Sequence, residues 1–260
     1  MGVIKPMRIK DLRNINWNNL NSTSTGMIPK YLNDKIFLKL STYNETAGFY
    51  GEEPEYEELA YKIGKILRLN IVEVEVEEAL IQYNNKEYKT LVAIFPNFNR
   101  NGNSIPIENF CEINGVNSKD LLFDDKFRAD LSKIMEYDFL INNIDRHGRN
   151  IEVMNNKIAP IFDNSLSMFS KMPDNALNES LFEVYSANNF IGYPNLLDNL
   201  KLINNEIDLS IDINKFYRII DSWGLKYNKS EKRIIFIKNL IEFRYSKLKS
   251  MFKENKLKWR

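Results

Sequence analysis

Apolar and polar residues alternate from Val72 to Glu77, with Val72, Val74 and Val76 set against Glu73, Glu75 and Glu77. A period of two puts each set on its own side of a strand, so residues 71–83 are expected to form a half-exposed strand. Asn84-Asn85-Lys86 supplies turn chemistry, and residues 88–95 return as a more buried strand. Residues 53–69 change to a helical period: Ala60, Ile63, Gly64 and Leu67 share one stripe with Glu57, while Glu58 lines up with Lys62 and Lys65 on the wet face. Pro54 near the first turn and a cluster of glutamates suit the start of that helix. Upstream, Ile36-Phe-Leu-Lys39-Leu40 reads as a strand, and residues 1–20 support no more than a short strand or irregular lead-in. The first part of the chain therefore reads strand–strand–helix–strand–strand.

Residues 97–104, with Gly102 and several asparagines, are the best linker. A helix is expected within 118–142, with Phe127, Leu131, Ile134, Met135 and Leu140 broadly on one side. Two short apolar runs, 151–154 and 158–162, flank Asn155-Asn156-Lys157 and predict a hairpin. With Asn155 and Asn156 at its centre, Asn150 lies opposite Ile161 and Asp163 falls just beyond the pairing. Helices are then expected at 178–189, 194–203 and 213–223. A long final helix is capped by Ser230 and buries Ile234, Ile237, Ile241, Leu248 and Phe252. Its lysines (Lys247, Lys249, Lys253, Lys256, Lys258) read as a solvated face.

Composition narrows the class. The 260 residues can form one large domain or two lobes, and 43% hydrophobic with 27% charged residues is ordinary for a globular protein. A net charge of +1 gives no global field for nucleic acid or an acidic membrane. The single Cys111 excludes an internal disulfide and reads as a small buried side chain in a reducing, cytoplasmic setting. No signal peptide and no membrane-length apolar run is evident.

The predicted hairpin carries the chemistry. Folding back brings the Asp145–Asn150 loop and Asp163 to one end of a ribbon, where two carboxylates and an amide oxygen offer the hard donors that Mg²⁺ prefers. In a phosphotransferase, an Asp orients or deprotonates the acceptor hydroxyl, an Asn further along the loop holds metal, and a second Asp holds metal against the phosphates. Asp145, Asn150 and Asp163 follow that order. Lys39 is either a lysine snorkelling from an edge strand or the strand lysine that clamps the α- and β-phosphates. The second role needs a carboxylate, and Glu57, on the buried stripe, is the expected partner. His147, the one histidine, is expected to brace the loop by hydrogen bonds; Arg146 and Arg149 could meet phosphate or an activating carboxylate, with exposure as the default for loop arginines. The residues 21–30, with Ser22, Thr23, Ser24, Thr25 and Gly26, could cover phosphates with backbone N–H groups.

The run Asn143-Ile-Asp145-Arg-His147-x-x-Asn150, followed by Phe162-Asp163, resembles the catalytic loop and metal-binding Asp of the HipA-like serine/threonine kinases. The resemblance implies an α+β, bilobal protein-kinase-like fold. Residues 1–98 would form a small β-rich N-lobe with one key helix, and residues 99–260 a mainly helical C-lobe. It implies ATP and Mg²⁺ as cofactors, Gly26 and Lys30 in a phosphate loop, and backbone contacts to adenine from 94–97. Thr23 and Thr25 match serines that autophosphorylate in the family, with Ser22 and Ser24 beside them. Glu53-Pro54-x-x-Glu57 matches the start of the family's helix. The chain resembles a short form lacking an extra N-terminal subdomain, and Ser165 stands where many relatives have Gly. The implied partners are a protein with a Ser or Thr acceptor, and an antitoxin or a second copy of the chain; no nucleic-acid or membrane contact is implied. The same loop also serves kinases of lipids and small molecules, and an inactive kinase-fold binding module is a further alternative.

Overall fold

The computed structural model describes residues 9–17, 28–99 and 102–258, with side chains to residue 253. Its first half is built on seven strands: β1 (Lys10–Leu12), β2 (Lys30–Leu32), β3 (Ile36–Lys39), β4 (Tyr43–Asn44), β5 (Gly48–Phe49), β6 (Glu75–Tyr83) and β7 (Lys86–Pro96). Five of them form one sheet in the order β1-β6-β7-β3-β2, antiparallel except for the β1–β6 pair. The helix α1 (Glu53–Ile66) lies between β5 and β6 in the chain.

The expected strand at 71–83 is shorter than its alternating pattern. Ile71 instead forms an isolated parallel bridge with Ile161, and the ladder with β7 begins at Glu75. Asn84 and Asn85 make the turn, with φ of 49° and 60°. Both lie in the left-handed region that a two-residue hairpin needs and that Asn tolerates.

The pleat sorts side chains onto two faces. Leu38 and Leu40 point to one side, joining Ala79, Ile81, Val92 and Trp17 in a compact cluster. Phe37, one residue away, joins Val76, Ala93 and Phe95 on the other side, together with Tyr61 of α1. Alternation places Lys39 on the Phe37 side. Ala93, directly opposite Lys39 in the ladder, has no bulk to exclude its long side chain. Lys30 is the cross-strand partner of Lys39 on β2 and so shares that face.

After the linker come β8 (Ser104–Pro106), α2 (Ile107–Asn114), α3 (Arg128–Ile141), β9 (Glu152–Met154), β10 (Lys157–Ile158), α4 (Leu196–Asn199), α5 (Ile213–Lys226) and α6 (Glu231–Lys258). The helix expected within 118–142 is divided into a short 3₁₀ turn at Ser118–Leu122 and α3. The β9–β10 hairpin has Asn155 and Asn156 at its centre, with φ of 52° and 58°. Its ladder stops at Val153–Ile158, however. Asn150 therefore does not pair with Ile161, which bridges to Ile71 instead.

Two expected helices are mostly absent. Residues 178–189 hold only a 3₁₀ turn, Glu179–Glu183, capped by the Asn178 side chain. Farther on, the Asn188 N–H donates to the Ile144 carbonyl (2.8 Å) and the Phe190 N–H to the Arg146 carbonyl (3.1 Å). Lining the Ile144–Arg146 segment with these bonds excludes the helical i→i−4 pattern. Residues 194–203 reduce to the four-residue α4, whose N-terminal N–H groups are capped by Asn195. The α5 and α6 expectations hold, with Ser230 Oγ capping the Arg233 N–H at 3.1 Å.

The largest apolar cluster joins α1 to the second half of the chain, including Tyr56, Leu59, Ala60, Ile63, Tyr137, Ile220, Trp223 and Leu240. Polar contacts reinforce it: the Tyr137 hydroxyl donates to the Ala60 carbonyl (2.6 Å), and Trp223 Nε1 to the Glu55 carbonyl (2.9 Å). Glu58 is not on a wet face. It is buried against Lys226 (2.9 Å) and the Tyr227 hydroxyl (2.6 Å), residues contributed from the end of α5. Among the described residues no helix is long and apolar enough to cross a membrane.

Candidate active site

The site is assembled where β3, α1 and the segment following β10 meet. Lys39 is 2% exposed, so its ammonium requires partners within the protein. It donates to Glu57 Oε1 at 2.8 Å, Asp163 Oδ1 at 2.6 Å and Ser165 Oγ at 2.9 Å. Burial alone would push this ammonium down, but the carboxylates of Asp163 and Glu57 outweigh it and hold Lys39 above the usual lysine range. Burial likewise pushes Asp163 up, and the charges of Lys39 and then Lys30 reverse that, holding the carboxyl below the usual range. The Lys30 ammonium is pushed down by burial, with Asp163 opposing. Lys30 shares the sheet face of its strand partner Lys39.

Glu57 is fully buried and bridges two elements. Its Oε1 holds Lys39, and its Oε2 accepts the Asn164 N–H at 2.9 Å. Helix α1, strand β3 and the Asp163 segment are fixed to one another through this carboxylate. Asp163 itself has φ of 55°, a left-handed conformation that Asp adopts more readily than most residues.

The loop bearing Asp145 begins where α3 ends. Asn142 closes the helix with φ of 51°, and the Asn143 N–H donates back to the Asp138 carbonyl at 2.9 Å. Arg146, expected at the surface, is 3% exposed and organises the whole region. Its guanidinium forks onto Asp138 (3.0 and 2.9 Å), donates through Nη1 to the carbonyls of Asn150 (3.1 Å) and Phe162 (2.7 Å), and reaches Asn164 Oδ1 at 2.6 Å. Burial disfavours its charge, but Asp138 more than restores it and raises Arg146 further. One side chain thereby brings the backbone beside Asn150 and the residue before Asp163 to a single nitrogen atom.

Within the loop, the Asn150 amide nitrogen donates to the Asp145 carbonyl at 2.9 Å, so its side-chain oxygen is the end available to a cation. His147 Nδ1 accepts the Arg149 N–H at 3.2 Å, and its Nε2 lies 3.8 Å from Asp145 Oδ2. The sequence pattern did not announce Asn188, whose side-chain amide donates to Asp145 Oδ1 at 3.1 Å. Glu53, named in the sequence as the start of the helix motif, is buried against Thr42 and Lys171, contacts that the pattern did not announce. Gly26 and the Ser22–Thr25 hydroxyls lie outside the described residues. A cavity of about 390 Å³ opens beside the linker, lined by Pro96, Asn97, Phe98, Asn103, Met154 and Asn155.

Among the described residues no group of three or more His, Cys, Asp and Glu gathers to hold a metal. The candidate donors are instead the Asp163 carboxylate, bonded to Lys39, and the amide oxygen of Asn150, whose backbone carbonyl shares Arg146 Nη1 with that of Phe162. That set fits Mg²⁺, which takes one or two carboxylates and fills its other positions with water and phosphate.

No protein-family model matches the chain, and no curated protein matches its sequence. Among solved structures it is similar to the Helicobacter pylori proinflammatory kinase CtkA, with a TM-score of 0.63 at 19% identity over 95% of this chain and 98% of that one. It is also similar to HipA of Shewanella oneidensis MR-1, from a toxin–antitoxin complex with HipB and operator DNA. That match has a TM-score of 0.40 at 11% identity, over 88% of this chain and 65% of that one. The first likeness gives the chain a kinase-like α+β fold over nearly its whole length; the second is too distant to add to the argument.

Two predictions follow from the geometry. Arg146→Met leaves Asp138 buried without its cation and is expected to cost about 3–5 kcal/mol in urea denaturation at pH 7. A loss below about 1 kcal/mol would contradict the role of this fork. Because the Asp163 pKa is lowered on folding, its stabilising contribution is present above the unfolded value of about 3.9 and lost as pH falls below it. The stability gap between wild type and Asp163→Asn should accordingly narrow from pH 5 to pH 2.5, and a constant gap would contradict the assignment.

Proposed function

We propose that the chain is a protein serine/threonine kinase of the HipA-like type that uses Mg²⁺ and ATP. Residues 1–98 and 99–260 would act as its two lobes. The observation that carries this reading is the buried Lys39 ammonium, bound at once to Glu57 of a helix and Asp163 of a loop. A structural lysine would be expected to send its amine to solvent.

In this reading Lys39 and Lys30, side by side on β3 and β2, attract the phosphates into the space before Asp163. Asn150 and Asp163 would hold Mg²⁺, which supplies charge neutralisation to the transferring phosphoryl group. The linker-side cavity offers a place for the adenine next to the 94–97 backbone. Asp145, held in orientation by the Asn188 amide, accepts the proton of the acceptor hydroxyl. As that oxygen forms its bond to the γ-phosphorus, the bond from phosphorus to the departing ADP oxygen breaks. A weak base is adequate here, since a loose phosphoryl transition state asks for positioning and charge more than for proton removal.

The substrate we assign is a protein hydroxyl, including those of Ser22, Thr23, Ser24 and Thr25 just ahead of β2. Incubation with Mg²⁺ and ATP followed by intact-mass measurement should add about 80 Da per phosphate to the wild type and nothing to Asp163→Ala or Asp145→Asn. Peptide mapping should place the added mass within 22–25. Label that passes to inositol lipids or metabolites and not to protein would replace this reading with a lipid or small-molecule kinase. No transfer by the wild type to any acceptor would favour an inactive binding module.

A further inference from the structure

An alkylammonium has three protons to donate, and Lys39 has three acceptors at hydrogen-bonding distance, all belonging to the chain itself. In this arrangement no donor of Lys39 is left for a phosphate oxygen. If the site takes ATP, as proposed above, one of the three contacts must be given up on binding.

The three contacts are not equivalent. Glu57 is fully buried, and its second oxygen already accepts the Asn164 N–H, so it cannot follow a departing lysine. Asp163 forms the shortest of the three contacts, between full charges. Two opposite full charges add their Coulomb attraction to the hydrogen bond, which a neutral acceptor does not. The Ser165 hydroxyl is neutral and makes the longest contact, 2.9 Å. Its position is nonetheless fixed: Ser165 is 2% exposed, and its carbonyl accepts the Ser170 hydroxyl at 2.8 Å. Releasing this contact costs less than releasing either carboxylate.

We infer that the Ser165 hydroxyl competes with nucleotide phosphate for Lys39 and so sets the affinity of the site for ATP. The residue acts against binding: it occupies the lysine in the empty site and yields it to the phosphates. An alanine at 165 has no acceptor to offer, and it leaves the Lys39–Glu57 and Lys39–Asp163 contacts in place.

The test is titration calorimetry with the β,γ-imido analogue of ATP in the presence of Mg²⁺, on the full chain and on S165A. The variant is expected to bind more tightly, by up to roughly 10- to 150-fold, the range that corresponds to one hydrogen bond to a charged group. In the absence of nucleotide it should melt at a slightly lower temperature, so stability and affinity move in opposite directions. Ser165→Cys keeps the side chain's size with a poor acceptor, and should also bind more tightly than the wild type, which serves as the test if S165A does not fold. Equal or weaker binding by the variants, with a wild type that binds, overturns the competition alone. A wild type that binds no imido analogue overturns the kinase reading and the competition with it.

Discussion

A lysine ammonium with almost no access to water is the constraint from which the rest of this structure can be read. Leaving such a charge unpaired in a protein interior costs several kcal/mol, so carboxylates have to be brought to it from wherever the chain can supply them. Glu57 comes from a helix packed against the sheet, and Asp163 from a segment more than a hundred residues later. Satisfying Lys39 therefore fixes strand, helix and loop at the same time. The result is a cationic centre with one partly exposed carboxylate beside it, and that combination suits an anionic ligand carrying a divalent cation.

A second buried cation does the complementary work on the other side. Arg146 fixes the loop that presents Asp145, because its planar fork can satisfy a carboxylate and three oxygen acceptors together, a task that lysine's point charge does not match. The two centres are linked through adjacent residues: Asn164 meets Arg146 with its side chain and Glu57 with its backbone. The helix and the loop are thus connected over the span of a single residue. The contacts from α5 and Tyr227 to Glu55 and Glu58 hold the far side of α1, so the helix has polar and apolar support along much of its length.

Much of this was legible where the signal is local. Asn-Asn pairs marked both tight hairpins, since few residues accept two successive left-handed conformations. Glu57 betrayed itself by lying on an apolar stripe, where a carboxylate needs a cation. Glu58 does meet Lys62 as its helical spacing implied, at 3.2 Å, but its burial was misread because its other partners, Lys226 and Tyr227, lie 168 and 169 positions away and periodicity within one helix cannot see them. Arg146 was misread for a related reason: a loop arginine is exposed by default, and only the folded chain shows Asp138 turned towards it. The residues 178–203 carry enough apolar side chains for helices, but backbone bonds to the Asp145 loop and side-chain caps from asparagines won over helical propensity. Asn188 had no local signature at all. Its position opposite Asp145 depends on that extended path.

The central claim is that Lys39 and Glu57 interact as a buried pair, and a double-mutant cycle measures it most directly. Unfolding free energies would be compared for wild type, Lys39→Met, Glu57→Gln and the double variant at pH 7. The account predicts that the two losses are strongly non-additive, with a coupling of at least about 1.5 kcal/mol, because Lys39→Met strands the buried Glu57 carboxylate while Glu57→Gln leaves Lys39 with Asp163 as its one carboxylate. Losses that add to within about 0.5 kcal/mol would mean the two side chains do not meet, and would contradict it.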